Sequence, residues 1–594
     1  MNDAEHRINP EEAVAAAIEG AEEVHDPAAD GMPEKPRLLV DKSNPDQTVG
    51  ALRNILADAG GLYDRGVPVR LAFDQTHKGM VAQMMTSYGL VLEAHKVCRP
   101  YAFKKGNAVD VGLPPLFALM YLDWRGEWQL QPLNGVASSP LLLDDGTINS
   151  TEGYDPATGM WCEDVPDLIG LVPERPTRDE AEAALRLIRE TFRTFCFGDA
   201  ETLNDASGVA MVDTSKAPER DESSFLVALL TAVCRPSLHL APGVLLRAAS
   251  VSGAGAGKGL LARCICIIAF GRDPHAVTAG ATPEELEKRV AAELMGGSPA
   301  LFLDNLNNTS FKSDLLASAI TERPARVRLL GKSQMVPLNA SAFVILTGNG
   351  LSVSEDLARR FIMVEFDPRT EDPEARPFKT DIRSEVKERR TELLAALLTI
   401  WRWGRISADI KPGRALGSFE DWCHWVRDPL LALGCQDPVE RVSEAKARDG
   451  HRQEVGDLFT LWWAKHSDQP VAVSQLDPAL KAVADPQDRG RQYLSARLEK
   501  LAGTRIAGFV LTRQESIGKW GKATYALKKT AQDEDHRGHG GHQAETQAHE
   551  QADGARGDAA EGSDGPMTPM TPMPSAGARQ TAAEKQMSGW RGRI

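Results

Sequence analysis

Three things are scarce in this chain, and each scarcity narrows what it can be. No apolar run approaches the roughly 20 residues that span a bilayer, and the N-terminal stretch has no apolar segment of signal-peptide type. The eight cysteines include no Cys-x-x-Cys pair, so neither a disulfide framework nor a cysteine-built zinc module is expected. A cytoplasmic, reducing location without membrane contact is the resulting expectation, with Cys264 and Cys266 read as free buried thiols. Positive charge is also short. The 68 Lys and Arg residues face 83 Asp and Glu, a net charge of −15, which argues against a protein that coats nucleic acid over its whole surface. A length of 594 residues leaves room for about three or four domains.

What is present is most specific at Ser252-Gly253-Ala254-Gly255-Ala256-Gly257-Lys258-Gly259-Leu260. An apolar segment, Gly243–Leu246, precedes it and a helix-like run, Leu260–Ile268, follows. Strand, small-residue loop and helix in that order make a phosphate-binding loop. Small residues let backbone N–H groups close around phosphates, the helix N-terminus adds partial positive charge, and Lys258 reaches the β- and γ-phosphates. Lys258 is expected to be an exposed loop lysine with little packing. Two positions depart from the usual pattern: Ser252 replaces the first glycine, and Gly259 stands where a Ser or Thr hydroxyl normally meets Mg²⁺.

The expected partners of such a loop follow in order within about 110 residues. Ala300-Leu301-Phe302-Leu303-Asp304 is a continuous apolar run ending in an acid, as a buried parallel strand should be. Asp304 is thereby the candidate Mg²⁺ residue, of Walker B type, followed by Asn305 where many ATPases carry a catalytic glutamate. A second apolar strand, Phe343–Thr347, runs into Gly348-Asn349, and ligands of open α/β sheets sit at such C-terminal strand ends. Asn349 is the candidate to position an attacking water. Asp356-Leu357-Ala358-Arg359-Arg360-Phe361 then offers Arg359 or Arg360 as an arginine finger reaching a neighbouring subunit's site. Taken singly, these are a core strand, a polar turn and a solvated basic pair. In this order they point to ATP hydrolysis with Mg²⁺.

The block from Ser252 to Phe366 resembles the AAA+ helicases of superfamily 3 type encoded by phages, plasmids and integrated elements, relatives of the poxvirus-type primase–helicases. The residues that carry the likeness are 256–261, Leu303-Asp304-Asn305, 327–333, Thr347-Gly348-Asn349 and 356–360. In that family the Gly-Lys-Gly ending and the Asp-Asn pair recur. The usual second sensor amide is absent here, where Asn349 is followed by Gly350. The resemblance implies an α/β fold with a P-loop AAA+ core on a parallel sheet, and ATP and Mg²⁺ as ligands. It also implies a homo-oligomer, a hexameric ring, acting on single-stranded or forked DNA with a possible separate primase. Ala325–Pro337 reads as a hairpin with a polar tip. By the resemblance it is the hairpin that enters the ring's pore, where Arg328 and Lys332 grip phosphates without reading bases.

The rest of the chain divides by composition. Residues 1–45 are polar and acidic, poorly ordered beyond a short helix at Pro10–Ala21. Residues 46–165 carry short apolar runs separated by turns, as at 141–148 and 153–161, with a hairpin expected at Asp145-Gly146. This section is read as a β-rich module without a primase constellation. Residues 166–415 combine a helical linker with the ATPase core. Helices are expected at Thr177–Phe195 and Ser223–Cys234, and from Thr282 with Leu286, Val290 and Leu294 on its buried stripe. A long helix at Ile382–Trp403 is expected as a lid over the nucleotide. Residues 416–530 read as helices followed by a basic β-hairpin, winged-helix-like, with Trp422, Trp425, Phe459, Trp462 and Trp463 in its core or facing the lid. Between Arg489 and Lys529 ten Lys and Arg face two Glu, a local charge of +8. Arg505, Arg513, Lys519 and Lys522 are the DNA-contact candidates there. Residues 531–594 are a polar tail that can build no core. His536, His539 and His542 have ligand-like spacing within it, read as composition. Two other functions fit the same features: another DNA-translocating motor such as a packaging ATPase, and a nucleotide-switched initiator or loader with negligible hydrolysis, which Gly259 and Asn305 favour.

Overall fold

The computed structural model describes residues 35–76, 78–205, 208–250, 253–278, 280, 282–329, 334–373, 381–408, 410–441, 450–514 and 523–530. The expected helix at Pro10–Ala21, the histidines of the tail, and Ser252, Lys332, Lys519 and Lys522 lie outside them. The fold is mixed α/β. At its centre five strands lie parallel: β1 (Gly243–Ala248), β2 (Ala276–Val277), β3 (Ala300–Leu303), β4 (Phe343–Asn349) and β5 (Phe361–Phe366). Their spatial order is β2-β3-β4-β1-β5. Strand β1 is flanked on both sides, so its C-terminal end opens at a point where the connections diverge, the usual location of a ligand crevice. The strands are apolar throughout because both faces are covered: Val244, Leu245, Leu246, Leu301, Phe302, Leu303, Ile345 and Leu346 are all buried.

Two helices precede the sheet. Helix α1 (Arg178–Phe192) starts at Thr177 with a reciprocal capping box to Glu180, and α2 (Arg220–Cys234) packs on β5 and on α3 (Lys258–Phe270). A buried Arg189–Glu222 pair, at 2.7 and 2.9 Å, ties α1 to α2. Helix α4 (Pro283–Gly296) is capped by Thr282, and Leu286, Val290 and Leu294 are buried as expected.

The chain between Ile382 and Trp403 is two helices, α5 (Ile382–Glu388) and α6 (Arg390–Ile406), interrupted at Arg389. Its place also corrects the lid expectation. Arg390 donates to Ile268 O at the far end of α3 from Lys258 and to Ser138 O. Arg402 donates to Gly146 O. These bonds make α6 a buttress of the core. Trp422 and Trp425 face it: Trp401 and Trp425 rings lie 5.6 Å apart, and Trp422 Nε1 donates to Thr231 Oγ1 at 2.8 Å.

The section before the sheet is mixed, where mainly strands were expected. Helices at Pro45–Ala59, Ser87–Val97 and Pro115–Asp123 accompany its sheets. The apolar runs of 115–122 are too continuous to alternate, so they satisfy a helix instead. The hairpin expected at Asp145-Gly146 is present, pairing Leu142 with Ile148, and a second pairs Asp155 with Met160. Arg65 fastens this section to the core. Its guanidinium is buried and donates to Leu294 O and Met295 O, orphan carbonyls at the end of α4, and to Leu133 O.

A second, smaller apolar core starts at Val455. It is built from α7 (Gly450–His466), β6 (Val471–Ala472), α8 (Pro478–Ala484), α9 (Arg491–Leu501), β7 (Arg505–Ile506), β8 (Phe509–Gln514) and β9 (Thr524–Lys529). The strands order as β6-β9-β8-β7, antiparallel. Ala507 and Gly508, both at positive φ, make the tight turn between β7 and β8.

Candidate nucleotide-binding site

The loop from β1 to α3 is shaped by contacts that demand small residues. A Cβ on Gly253 would lie 2.2 Å from Ala249 O and 2.8 Å from Asn349 Oδ1. Gly255 and Gly257 have φ of +71° and +89°, a conformation that side chains resist. Gly257 caps α3, so the helix N-terminus opens directly beneath the loop. Gly253 and Ala256 are buried, whereas Ala254, Gly255 and Leu260 are exposed at the mouth.

Lys258 is buried, contrary to the expectation of an exposed lysine. Its Nζ donates to Gly253 O at 2.7 Å and to Asn349 Oδ1 at 2.6 Å. Desolvation pulls its pKa below the usual lysine value. A desolvated lysine amine hydrogen-bonded to two neutral oxygens, with Asp304 acting on it only at longer range, is a group that a bound anion would stabilise.

Asp304 ends β3 beside the same loop. Thr347 Oγ1 on the neighbouring strand donates to its Oδ1 at 2.5 Å, and Arg263 Nη2 on α3 lies 3.9 Å from its Oδ2. A Cβ on Gly259 would stand 3.7 and 3.9 Å from the two carboxylate oxygens, so the first turn of α3 and the carboxylate face each other across a short gap. A carboxylate, a glycine-rich loop at a helix N-terminus and a buried lysine thus stand together at this edge.

Asn305 has φ of +61° and its N–H donates to Thr347 Oγ1 at 3.3 Å. No carboxylate follows Asp304, and the turn is instead polar and amide-rich. Asn307 Oδ1 accepts from Asn349 N at 2.7 Å, and Asn308 N donates to Asn349 O at 2.8 Å. A Cβ on Gly350 would lie 2.6 Å from Asn308 Oδ1. Asn308, from a different loop, thus lies against Gly350 and Asn349. Asn307, Asn308, Thr347 and Arg263 were not named as site residues because the β3–β4 register, with Leu303 opposite Leu346, and the packing of α3 on β3 are what bring them to Asp304 and Asn349. The apolar-to-polar switch at 303–308 is the one sequence signal that marked part of this set.

The arginine pair separates in space. Arg359 is 56 % exposed and pairs with Asp356 at 2.9 Å. Arg360 is only 12 % exposed, pairs with the same carboxylate, and donates to Asp356 O at 2.5 Å and towards Thr321 Oγ1 at 3.4 Å. Arg360 is an internal brace, and Arg359 is the one able to reach another molecule. The hairpin Ala325–Arg328 with Met335–Leu338 is formed, Val327 opposite Val336, with Arg326 and Arg328 on the exposed face and Val327 and Val336 buried. Its base rests on the N-terminal section: Asn339 Nδ2 donates to Asn134 Oδ1 and Ser341 Oγ to Asn134 O. Arg505 is exposed on β7, while Arg513 pairs with Glu499 at 3.0 Å.

No protein-family model matches the chain, and no curated protein matches it. Among solved structures, the apo A form of the NrS-1 C-terminal region aligns with a TM-score of 0.32 at 11 % identity, over 77 % of this chain and 96 % of that one. A superposition that loose leaves the weight on the site's own geometry. No described helix is long and apolar enough to cross a membrane, and no group of three or more His, Cys, Asp or Glu among the described residues could hold a metal ion by itself.

Proposed function

We propose that this chain is a P-loop ATPase of AAA+ type that works as a DNA helicase in the replication of a phage or integrated mobile element. The observation that carries the reading is the convergence of Lys258, Asp304 and Asn349 at the C-terminal edge of one parallel sheet, with the Lys258 amine bonded to the Asn349 amide. Lys258 and the loop amides hold the phosphates, and Asn349 orients the attacking water. Asp304 would hold Mg²⁺, which supplies positive charge to the phosphate oxygens. Arg359, exposed beside Asp356, would complete the site of an adjacent subunit in a hexameric ring. The 325–338 hairpin would carry force to one DNA strand in the pore. The winged-helix-like 450–530 section would hold the duplex through its basic face, which explains how an acidic chain binds DNA.

The test is DNA-stimulated ATP hydrolysis together with unwinding of a forked duplex. Lys332→Ala removes one phosphate-facing charge per subunit at the moving element, so unwinding should fall far more than basal hydrolysis. If that variant unwinds as well as the unmodified protein, the hairpin is not the translocating element and a packaging motor gains ground. The initiator or loader reading has its own support in the absence of a carboxylate after Asp304, where Asn305 takes a left-handed backbone conformation. Tight nucleotide binding with negligible turnover on any DNA would establish it.

A further inference from the structure

The departure at Gly259 leaves the site without the hydroxyl that normally follows the loop lysine, yet a hydroxyl does stand at Asp304. We propose that Thr347 is a positioning residue of the metal site, fixing the Asp304 carboxylate and so offsetting the hydroxyl that Gly259 lacks. The proposal rests on the nucleotide-binding reading above.

Thr347 lies on β4, beside β3, and is buried. Its Oγ1 accepts from Asn305 N at 3.3 Å, which aims its proton at Asp304 Oδ1, 2.5 Å away. A hydroxyl anchored on one side and donating to an ionised carboxylate on the other makes a charge-assisted bond, roughly twice as strong as a neutral one. The second carboxylate oxygen faces the Arg263 guanidinium at 3.9 Å, itself lying 5.4 Å from the Phe302 ring centroid. Both oxygens therefore have a fixed neighbour supplied by this chain. A free carboxylate at the end of a strand would rotate about its last bond; this one is aimed.

Residue 259 stands on the opposite side. A Cβ built there meets the carboxylate oxygens at 3.7 and 3.9 Å, ordinary contact distances, so a serine would fit and its hydroxyl could reach Asp304 or the metal. The chain thus has room for the common arrangement and does not use it. Mg²⁺ readily keeps several waters when protein ligands are few, and then the orientation of its single carboxylate governs its affinity. That orientation depends on Thr347.

The experiment uses the full chain and reads binding rather than turnover: the dissociation constant of ADP with Mg²⁺ and with EDTA, and their ratio. Thr347→Val keeps shape and β-propensity and removes the hydroxyl, both the donor to Asp304 and the acceptor of the Asn305 N–H. It should reduce the Mg²⁺ enhancement about tenfold, the order expected for one bond to a charged group, while leaving ADP affinity in EDTA unchanged. Thr347→Ser keeps the hydroxyl and should retain the enhancement. Gly259→Ser added to Thr347→Val should restore it, and Gly259→Ser alone should raise it. An unchanged ratio in Thr347→Val overturns the proposal, and so does an equal loss in Thr347→Ser and Thr347→Val, which marks a packing role. Failure of Gly259→Ser to raise or restore the ratio also overturns it. If the unmodified protein binds no ADP under either condition, the nucleotide-binding reading falls first and takes this proposal with it.

Discussion

The edge of the parallel sheet and the basic face of residues 489–529 are both candidate sites, but they are built in opposite ways. At the sheet edge each functional residue is held by its neighbours: the Lys258 amine by Gly253 O and Asn349 Oδ1, the Asp304 carboxylate by Thr347, and the Asn349 backbone N–H by Asn307 Oδ1. On the basic face Arg505, Lys528 and Lys529 project from strand ends, exposed. Phosphoryl transfer needs groups within tenths of an ångström of one geometry, whereas a backbone grip needs only charge near a polyanion. The first kind of site should fail abruptly when one member is removed, and the second by degrees.

The sharpest break is Lys258→Ala. On the proposed reading it removes the buried ammonium that would bind phosphate in both ground and transition states, so hydrolysis should fall to background and ADP binding weaken at least about a hundredfold. Because burial already disfavours that ammonium, its loss should leave the melting temperature nearly unchanged. Measurable turnover in this variant would detach the loop from the chemistry.

Next in size is the arginine pair, which sharpens the contrast within one motif. Arg359→Ala should lower hydrolysis by about a thousandfold if it serves as a finger, and mixing with the Lys258→Ala protein should restore part of it. Mixed rings would then contain sites with an intact loop facing an intact Arg359. Arg360→Ala should instead lower stability by about 1 kcal/mol, since its half-buried guanidinium braces Asp356 and the turn before β5. No mixing experiment should rescue that loss. Equal behaviour of the two variants would show that burial does not separate their roles.

The same contrast decides how much was legible in the sequence. The loop, β3 and β4 could be read because local chemistry forces them: glycines where a Cβ strikes backbone, apolar runs where both sheet faces are covered, a polar residue where a strand leaves the core. Asp304, Lys258 and Asn349 were named from that alone. The residues that hold them were not, because Thr347 and Asn307 reach Asp304 and Asn349 only through strand register and loop return, across separations of 43 and 42 positions. Burial was likewise invisible. Nothing local says that Lys258 points inward, or that Arg360 is a brace and Arg359 is not. The run at Ile382–Trp403 misled because its apolar spacing continues through Arg389, where the helix breaks so that Arg390 can reach Ile268 O.

The smallest effect belongs to the basic face, and it should be graded. Neutralising Arg505, Lys528 and Lys529 to alanine or glutamine together should weaken DNA binding to a similar extent whatever the sequence. Each lost phosphate contact should lower the slope of log affinity against log salt by roughly 0.7–0.9, so the triple variant should lose about 2–3 from that slope. Lys529 also lies 5.2 Å from the Trp463 ring centroid, which fixes its stem without consuming its charge. Arg513 provides the internal control. Its guanidinium already pairs with Glu499 at 3.0 Å, and an exposed pair of that kind exchanges one anion for another at little gain. Arg513→Gln should therefore change the slope by much less than any member of the trio. If Arg513→Gln matched Arg505→Gln, the exposed-charge account of this face would be wrong, and a shaped site like the one at the sheet edge would have to be sought there.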